Sequence, residues 1–173
     1  TFTNDYNTFL SMNQADADYL QKADKIIDLD YYTDYIIGQS WIADNDWPFN
    51  NIKIVKGDFT DNRWRFILQD LEWSLMPNGW TDSNFDHIRF MLDYDPNVRY
   101  LRFWKELIKN ETYKKNFINS FADIMNSSYL PENTIAIAQS IYDSSYSEMR
   151  SEYVMWGGER VVSFSWDPRV ERD

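Results

Sequence analysis

The spacing of apolar positions changes character along the chain. Residues 1–24 are polar with scattered apolar sites (Phe2, Tyr6, Phe9, Leu10, Tyr19, Leu20), which predicts one or two short helices. In IIDLDYYTDYIIGQSWIAD, Leu29, Tyr32, Tyr35 and Ile36 recur at helical spacing, and Asp28 and Asp30 lie where a helix N-terminus favours negative charge. A helix to about Ala43 follows, which Pro48 prevents from continuing. Then the period shortens. Ile52–Val55 and Trp64–Leu68 are β-rich runs separated by GDFTDNR, whose Gly57, Asp58, Asp61 and Asn62 are turn formers, so the pattern predicts a β-hairpin. The alternative is a pair of buried irregular segments.

Residues 74–97 concentrate loop signals, among them Pro77, Gly79 and Pro96, with a short helix predicted near Asp86–Leu92. Beyond them the helical period returns. Pro96 opens a helix to about Lys109 with Leu101, Trp104 and Leu107–Ile108 on one face. A second runs from about Thr112 to Asn126, with Tyr113, Phe117, Phe121, Ile124 and Met125 inward. A third starts at Pro131, carries Ile135, Ala138, Ile141, Tyr142, Met149, Tyr153 and Trp156 as a core stripe, and stops at Gly157–Gly158. Val161, Val162, Phe164 and Trp166 suggest a docked extended tail. The predicted class is mainly α, or α+β: one single domain of 1–173, a hairpin followed by a helical bundle.

Composition narrows the function. With 43% hydrophobic and 18% aromatic residues, the 173-residue chain is a packed globule and not a disordered tail. A net charge of −11 argues against general nucleic-acid binding, which wants a basic face, and leaves carboxylates able to hold cations. No apolar run approaches the roughly 18 residues that a membrane helix needs. The absence of cysteine removes disulfides and thiolate metal sites. Thr1 opens the chain with no Met, signal peptide or targeting segment, and the expectation is a mature or trimmed piece of something longer.

The chemistry gathers between Trp41 and Trp73. Asp44, Asn45, Asp46, Asn50 and Asn51 precede the first predicted strand, and Asp70 and Glu72 follow the second. In an antiparallel pair those ends are neighbours, so the two clusters converge. Asp46 is followed five positions later by Asn51, then by a strand turn and another Asp. That order is used in kinase-like phosphoryl transfer: a carboxylate on the acceptor hydroxyl, an amide oxygen on a divalent ion, and a later Asp bridging metal and phosphates. Mg²⁺ prefers such hard oxygen ligands. Glu72, two positions beyond Asp70, shares its face in extended chain and is a further ligand candidate. The competing reading makes Asp44, Asp46, Asn50 and Asn51 helix caps and turn builders.

The stretches DYIIGQSWIADNDWPFNNIKIV and RWRFILQDLEWSL resemble the central signature of the CotH (spore coat protein H) kinase-like family: a helix, N-x-D-W-P-x-N-N with a strand, then W-x-(W/F)-I-x-x-D-L-D-W. LRFWKELIKNETYKKNFINSFADIMNSSYLPENT resembles the helical segment that follows, and the likeness spans roughly residues 26–153. The resemblance implies an atypical kinase-like fold that binds Mg-ATP (or Mn²⁺) and phosphorylates protein, in an extracytoplasmic, surface or secreted setting. It places Asp46 at the catalytic-loop Asp, Asn51 (with Asn50 as nearer competitor) at the metal-binding Asn, and Asp70 at the metal-binding Asp. Glu72 departs from the family, which more often has Asp there.

A kinase-like site also needs a roof with a strand-borne Lys on the phosphates. Upstream of Asp46 stand only Lys22 and Lys25, in a polar helical context, and Gly38, Gly57, Gly79, Gly157 and Gly158 form no G-x-G. The expectation is a C-terminal lobe that is inactive alone. Two further readings compete: a non-catalytic surface module binding glycan or protein, and a degenerate kinase kept as an interaction scaffold.

The remaining features read as structural. His87, the sole histidine, reads as a surface or loop residue, with no serine or cysteine motif beside it and no set of zinc ligands. Trp41, Trp47, Trp64, Trp73 and Trp80 read as packing around the hairpin, Trp80 excepted for its loop-like neighbours. Lys105, Glu106, Lys109, Glu111, Lys114 and Lys115 read as a solvated face.

Overall fold

A computed structural model describes residues 1–44, 47–71, 74–75, 85–94, 98–152 and 155. The chain divides into two compact units, Thr1–Ala122 and Asp123–Asp173. The described residues form seven helices and a two-stranded antiparallel sheet, the mainly helical architecture with a small hairpin that the periodicity predicts. In chain order these are α1 (Phe2–Leu10), α2 (Tyr19–Asp24), α3 (Leu29–Ile42), β1 (Lys53–Val55), a 3-10 turn (Asp58–Thr60), β2 (Arg65–Ile67), α4 (His87–Asp93), α5 (Arg99–Leu107), α6 (Glu111–Met125) and α7 (Pro131–Glu152). None of the described helices is long and apolar enough to cross a membrane. The expected helix start at Pro96, the stop at Gly157–Gly158, the side chains of Met149, Tyr153 and Trp156, and the tail lie outside the described residues.

The first unit is organised on α3. Its start is fixed by Asp28, whose carboxylate caps the helix by accepting from the Tyr31 N–H (3.4 Å). The same carboxylate pairs with Arg65 Nε (2.7 Å) and Arg63 Nη2 (3.1 Å), tying β2 to the head of the helix. A parallel bridge between Ile27 and Trp64, with Asp28 N–H donating to Trp64 C=O (3.1 Å), makes the same connection through the backbone. A half-buried charge cluster of this kind fixes register more than it adds stability.

The pattern predicts one buried face for α3, yet Tyr32, Thr33, Tyr35, Ile36, Ile37, Gly38, Gln39 and Ser40 are all buried. Asp30, Tyr31 and Asp34 leave one exposed face on its first half, but from Tyr35 to Ser40 the helix is covered all round and runs through the core. Its polar members find partners: Thr33 Oγ1 meets the Tyr113 hydroxyl at 3.0 Å, and Ser40 Oγ donates to Ile36 C=O at 2.7 Å. The helix ends at Ala43, in the left-handed conformation at φ 49°, before Pro48 can act.

Phe103, on α5, is the hub of the apolar core and is fully buried. Its ring meets Phe9 at 4.8 Å, Tyr6 at 5.3 Å and Phe2 at 6.0 Å on α1, Tyr32 at 6.3 Å on α3, and Phe66 at 6.2 Å on β2. Leu101, Trp104 and Leu107 of α5 are buried as predicted, and Ile108 is half-buried. On α6, Tyr113 and Phe117 are buried, whereas Phe121, Ile124 and Met125 are only half-buried.

The solvated-face reading needs a correction at Glu106. Its side chain is 13% exposed and accepts from Gln14 (2.8 Å) and Lys109 (2.7 Å), pinning the segment between α1 and α2 onto α5. Lys105 is likewise half-buried and donates to Tyr94 C=O.

The second unit overturns a larger expectation. On α7, Ile135 is 65% exposed and Ile141 61%, Ala138 is exposed and Tyr142 only half-buried, so the predicted stripe is not core over its described length. Helical spacing marks a face that can be buried, and burial requires an element to cover it. Among the described residues this unit supplies only the end of α6 and the turn at 126–130.

Candidate functional site

The site lies where α3 hands the chain to the hairpin. After Ala43, Asp44 is 1% exposed, a rare position for a carboxylate. Trp47 follows at 2% exposure, its Nε1–H donating to the Tyr35 hydroxyl at 2.8 Å, and the Trp47–Pro48 peptide bond is cis. Gln39 Nε2 approaches the same hydroxyl at 3.5 Å. Burial pushes the Tyr35 phenol up to about 12; the bonds from Gln39 and Trp47 pull the other way, and the Asp44 charge raises it further. Two phenylalanines and a tyrosine extend the site outward, Phe49 lying 5.0 Å from Tyr94 and 6.3 Å from Phe90 between ring centres.

The hairpin register then does what the sequence spacing suggests. Lys53 pairs with Ile67, Ile54 with Phe66 and Val55 with Arg65. Asn50 and Asn51 therefore enter the sheet at the end from which Asp70 leaves it. Asn50 and Asp70 are exposed and Asn51 is half-buried. Asn51 and Asp70 both sit in the left-handed region, each at φ 57°, a conformation that Asn and Asp tolerate better than most residues. Past Asp70, Ser74 N–H donates to Leu71 C=O (3.0 Å) and Leu75 N–H to Ile42 C=O (2.9 Å). That last bond returns the chain to the end of α3.

Of the predicted site residues, Asn50, Asn51 and Asp70 are thus gathered at one hairpin end, while Asp46 and Glu72 lie outside the described residues. Among the described residues no group of three or more His, Cys, Asp or Glu is placed to hold a metal ion. What the hairpin end offers is one carboxylate and two amides, an all-oxygen donor set that fits Mg²⁺ or Mn²⁺ in kind. Trp47 is buried and Trp41 and Trp64 are half-buried, so these three pack and do not present an open platform; Trp73 and Trp80 lie outside the described residues.

His87 corrects the sequence reading. It is the first residue of α4, 6% exposed, and its ring stacks on Trp47 at 5.8 Å and 26°. Phe85 (5.9 Å) and Phe90 (5.7 Å) flank it, and among the described residues its Nδ1 has no hydrogen-bond partner. Flanking loop signals suggested exposure, but His87, Phe90, Met91 and Tyr94 follow i, i+3, i+4, i+7 and share one helix face. That periodicity was the available signal. The burial of Asp44 and Gln39 had none, since nothing local marks a carboxylate or an amide for burial.

Burial alone drives the His87 imidazole down to about 4 from its ordinary 6.5. The folded protein therefore keeps it neutral, whereas the unfolded chain takes up a proton below pH 6.5. The associated stability is present above pH 6.5 and is lost as pH falls towards 4, about 3 kcal/mol across the window. Urea denaturation at several pH values should show a steeper acid loss for the wild type than for His87→Phe. Equal slopes would contradict the buried neutral histidine.

The sequence profile of the family described as CotH kinase protein matches residues 2–171, nearly the whole chain. No curated protein and no solved structure matches.

Proposed function

The chain belongs to the CotH kinase protein family, and on that premise we propose that Asp46, Asn51 and Asp70 form the acidic half of a metal-dependent phosphotransfer site acting on protein hydroxyls. The observation that supports the proposal is the hairpin register, in which the strand that follows Asn50 and Asn51 pairs antiparallel with the strand that precedes Asp70. In this reading α3, the hairpin and α5 are the core of a kinase-like C-terminal lobe.

Asn51 and Asp70 would hold a divalent ion through oxygen, with Asn50 as the alternative amide and Glu72 as a second carboxylate. The ion, bound with ATP, supplies charge neutralisation at the transferring phosphoryl group. Asp46 orients the acceptor hydroxyl and takes its proton as the oxygen–phosphorus bond forms and the β–γ bridging bond breaks, releasing ADP. The Leu75–Ile42 backbone bond, which returns the chain after the hairpin to the end of α3, supports this reading.

Mn²⁺ titration of the protein and of Asp70→Ala tests the metal half. Binding should weaken at least about tenfold in the variant. Identical, negligible binding in both would remove the metal assignment.

A further inference from the structure

We infer that His87 is a positioning residue for the proposed site, holding Trp47, the residue that follows Asp46 in the sequence, in one orientation. This rests on the reading of Asp46 given above. Trp47 is fixed from two directions. Its indole N–H is bonded to Tyr35 at 2.8 Å, and Tyr35 also packs edge-on against the indole at 6.2 Å and 73°. Its face lies against the His87 ring at 5.8 Å. The two supports stand on different helices, Tyr35 on α3 and His87 on α4, and a Ser40–Met91 contact at 4.0 Å joins those helices.

An indole bonded at its edge and stacked on its face is restrained in both directions, and Asp46 is joined to it in the sequence by one peptide bond. Among the described residues the His87 Nδ1 has no hydrogen-bond partner, and what His87 offers Trp47 is its ring face. Phe85 and Phe90 hold that ring in turn. A small misplacement of a catalytic group is costly in rate, so a side chain that fixes the neighbour of such a group acts on kcat without touching substrate.

The test compares His87→Ala, which removes the ring, with His87→Phe, which keeps a face. Exchange of the Trp47 indole N–H is followed by NMR, with the buried Trp104 indole of α5 as internal reference. In His87→Ala, Trp47 exchange should rise about tenfold with Trp104 unchanged. In the full-length protein, kcat for phosphotransfer should fall about tenfold to a hundredfold while KM for ATP stays within about twofold. His87→Phe should restore both. Unchanged Trp47 exchange, both indoles moving together, unchanged kcat, or a Phe variant as impaired as Ala would each overturn the inference. A wild-type protein that transfers no phosphate would instead remove the phosphotransfer reading, and the exchange arm would still decide the clamp.

Discussion

Phe103→Ala is expected to cost about 3–5 kcal/mol, the range for emptying a buried aromatic site that cannot collapse. The ring is fully buried and lies within 6.3 Å of five others, drawn from α1, α3 and β2. Those neighbours stand on separate elements braced by their own bonds, such as the Asp28 cluster, so they cannot close on the void together. Against a total stability of typically 5–15 kcal/mol, such a loss leaves a marginal protein. Urea denaturation followed by circular dichroism gives the value. The matched control is Phe59→Ala on the hairpin turn, where the ring is 74% exposed and the change should stay within about 0.5 kcal/mol. A Phe103 variant losing under about 1 kcal/mol would mean that the ring is not the hub of this core.

Asp46→Ala is expected to lower kcat for phosphotransfer by about 10²–10⁴, the usual contribution of a positioned general base. The effect should fall on kcat and on kcat/KM for the protein acceptor together, with KM for ATP little changed, because the carboxylate acts on the acceptor hydroxyl. Asp70→Ala should differ in kind, raising the metal concentration needed for half-maximal rate. Full-length protein assayed with ATP and Ser/Thr substrates at varied Mg²⁺ separates the two. Unchanged transfer in Asp46→Ala would remove that residue from the mechanism.

Much of this fold was written in local pattern. The turn formers between Val55 and Trp64 set the hairpin, and its register followed, so that the segments carrying Asn51 and Asp70 adjoin the same end of the sheet. The features that escaped depend on distant chain. Thr33 looks like a solvent position of an amphipathic helix; it is buried against Tyr113, eighty residues on, whose hydroxyl meets its own. Phe103 carries no mark distinguishing a hub from an ordinary core residue, since that role depends on which elements converge on it. His87 was masked by flanking loop signals although its helical spacing with Met91 pointed inward. The Ile135–Ile141 stripe failed the other way, because a pattern can demand a cover that the described neighbours do not provide.

The shared left-handed turn at Asn51 and Asp70 bears on how this protein would age. Most L-residues pay about 1–2 kcal/mol to adopt that conformation, whereas Asn, Asp and Gly enter it readily. A lineage released from all chemistry would therefore still keep those residue types at both positions, for the sake of the chain path alone. Their persistence in a descendant is no witness to activity. Asp70→Asn is the substitution that parts the two inheritances, because it keeps the turn and removes only the charge.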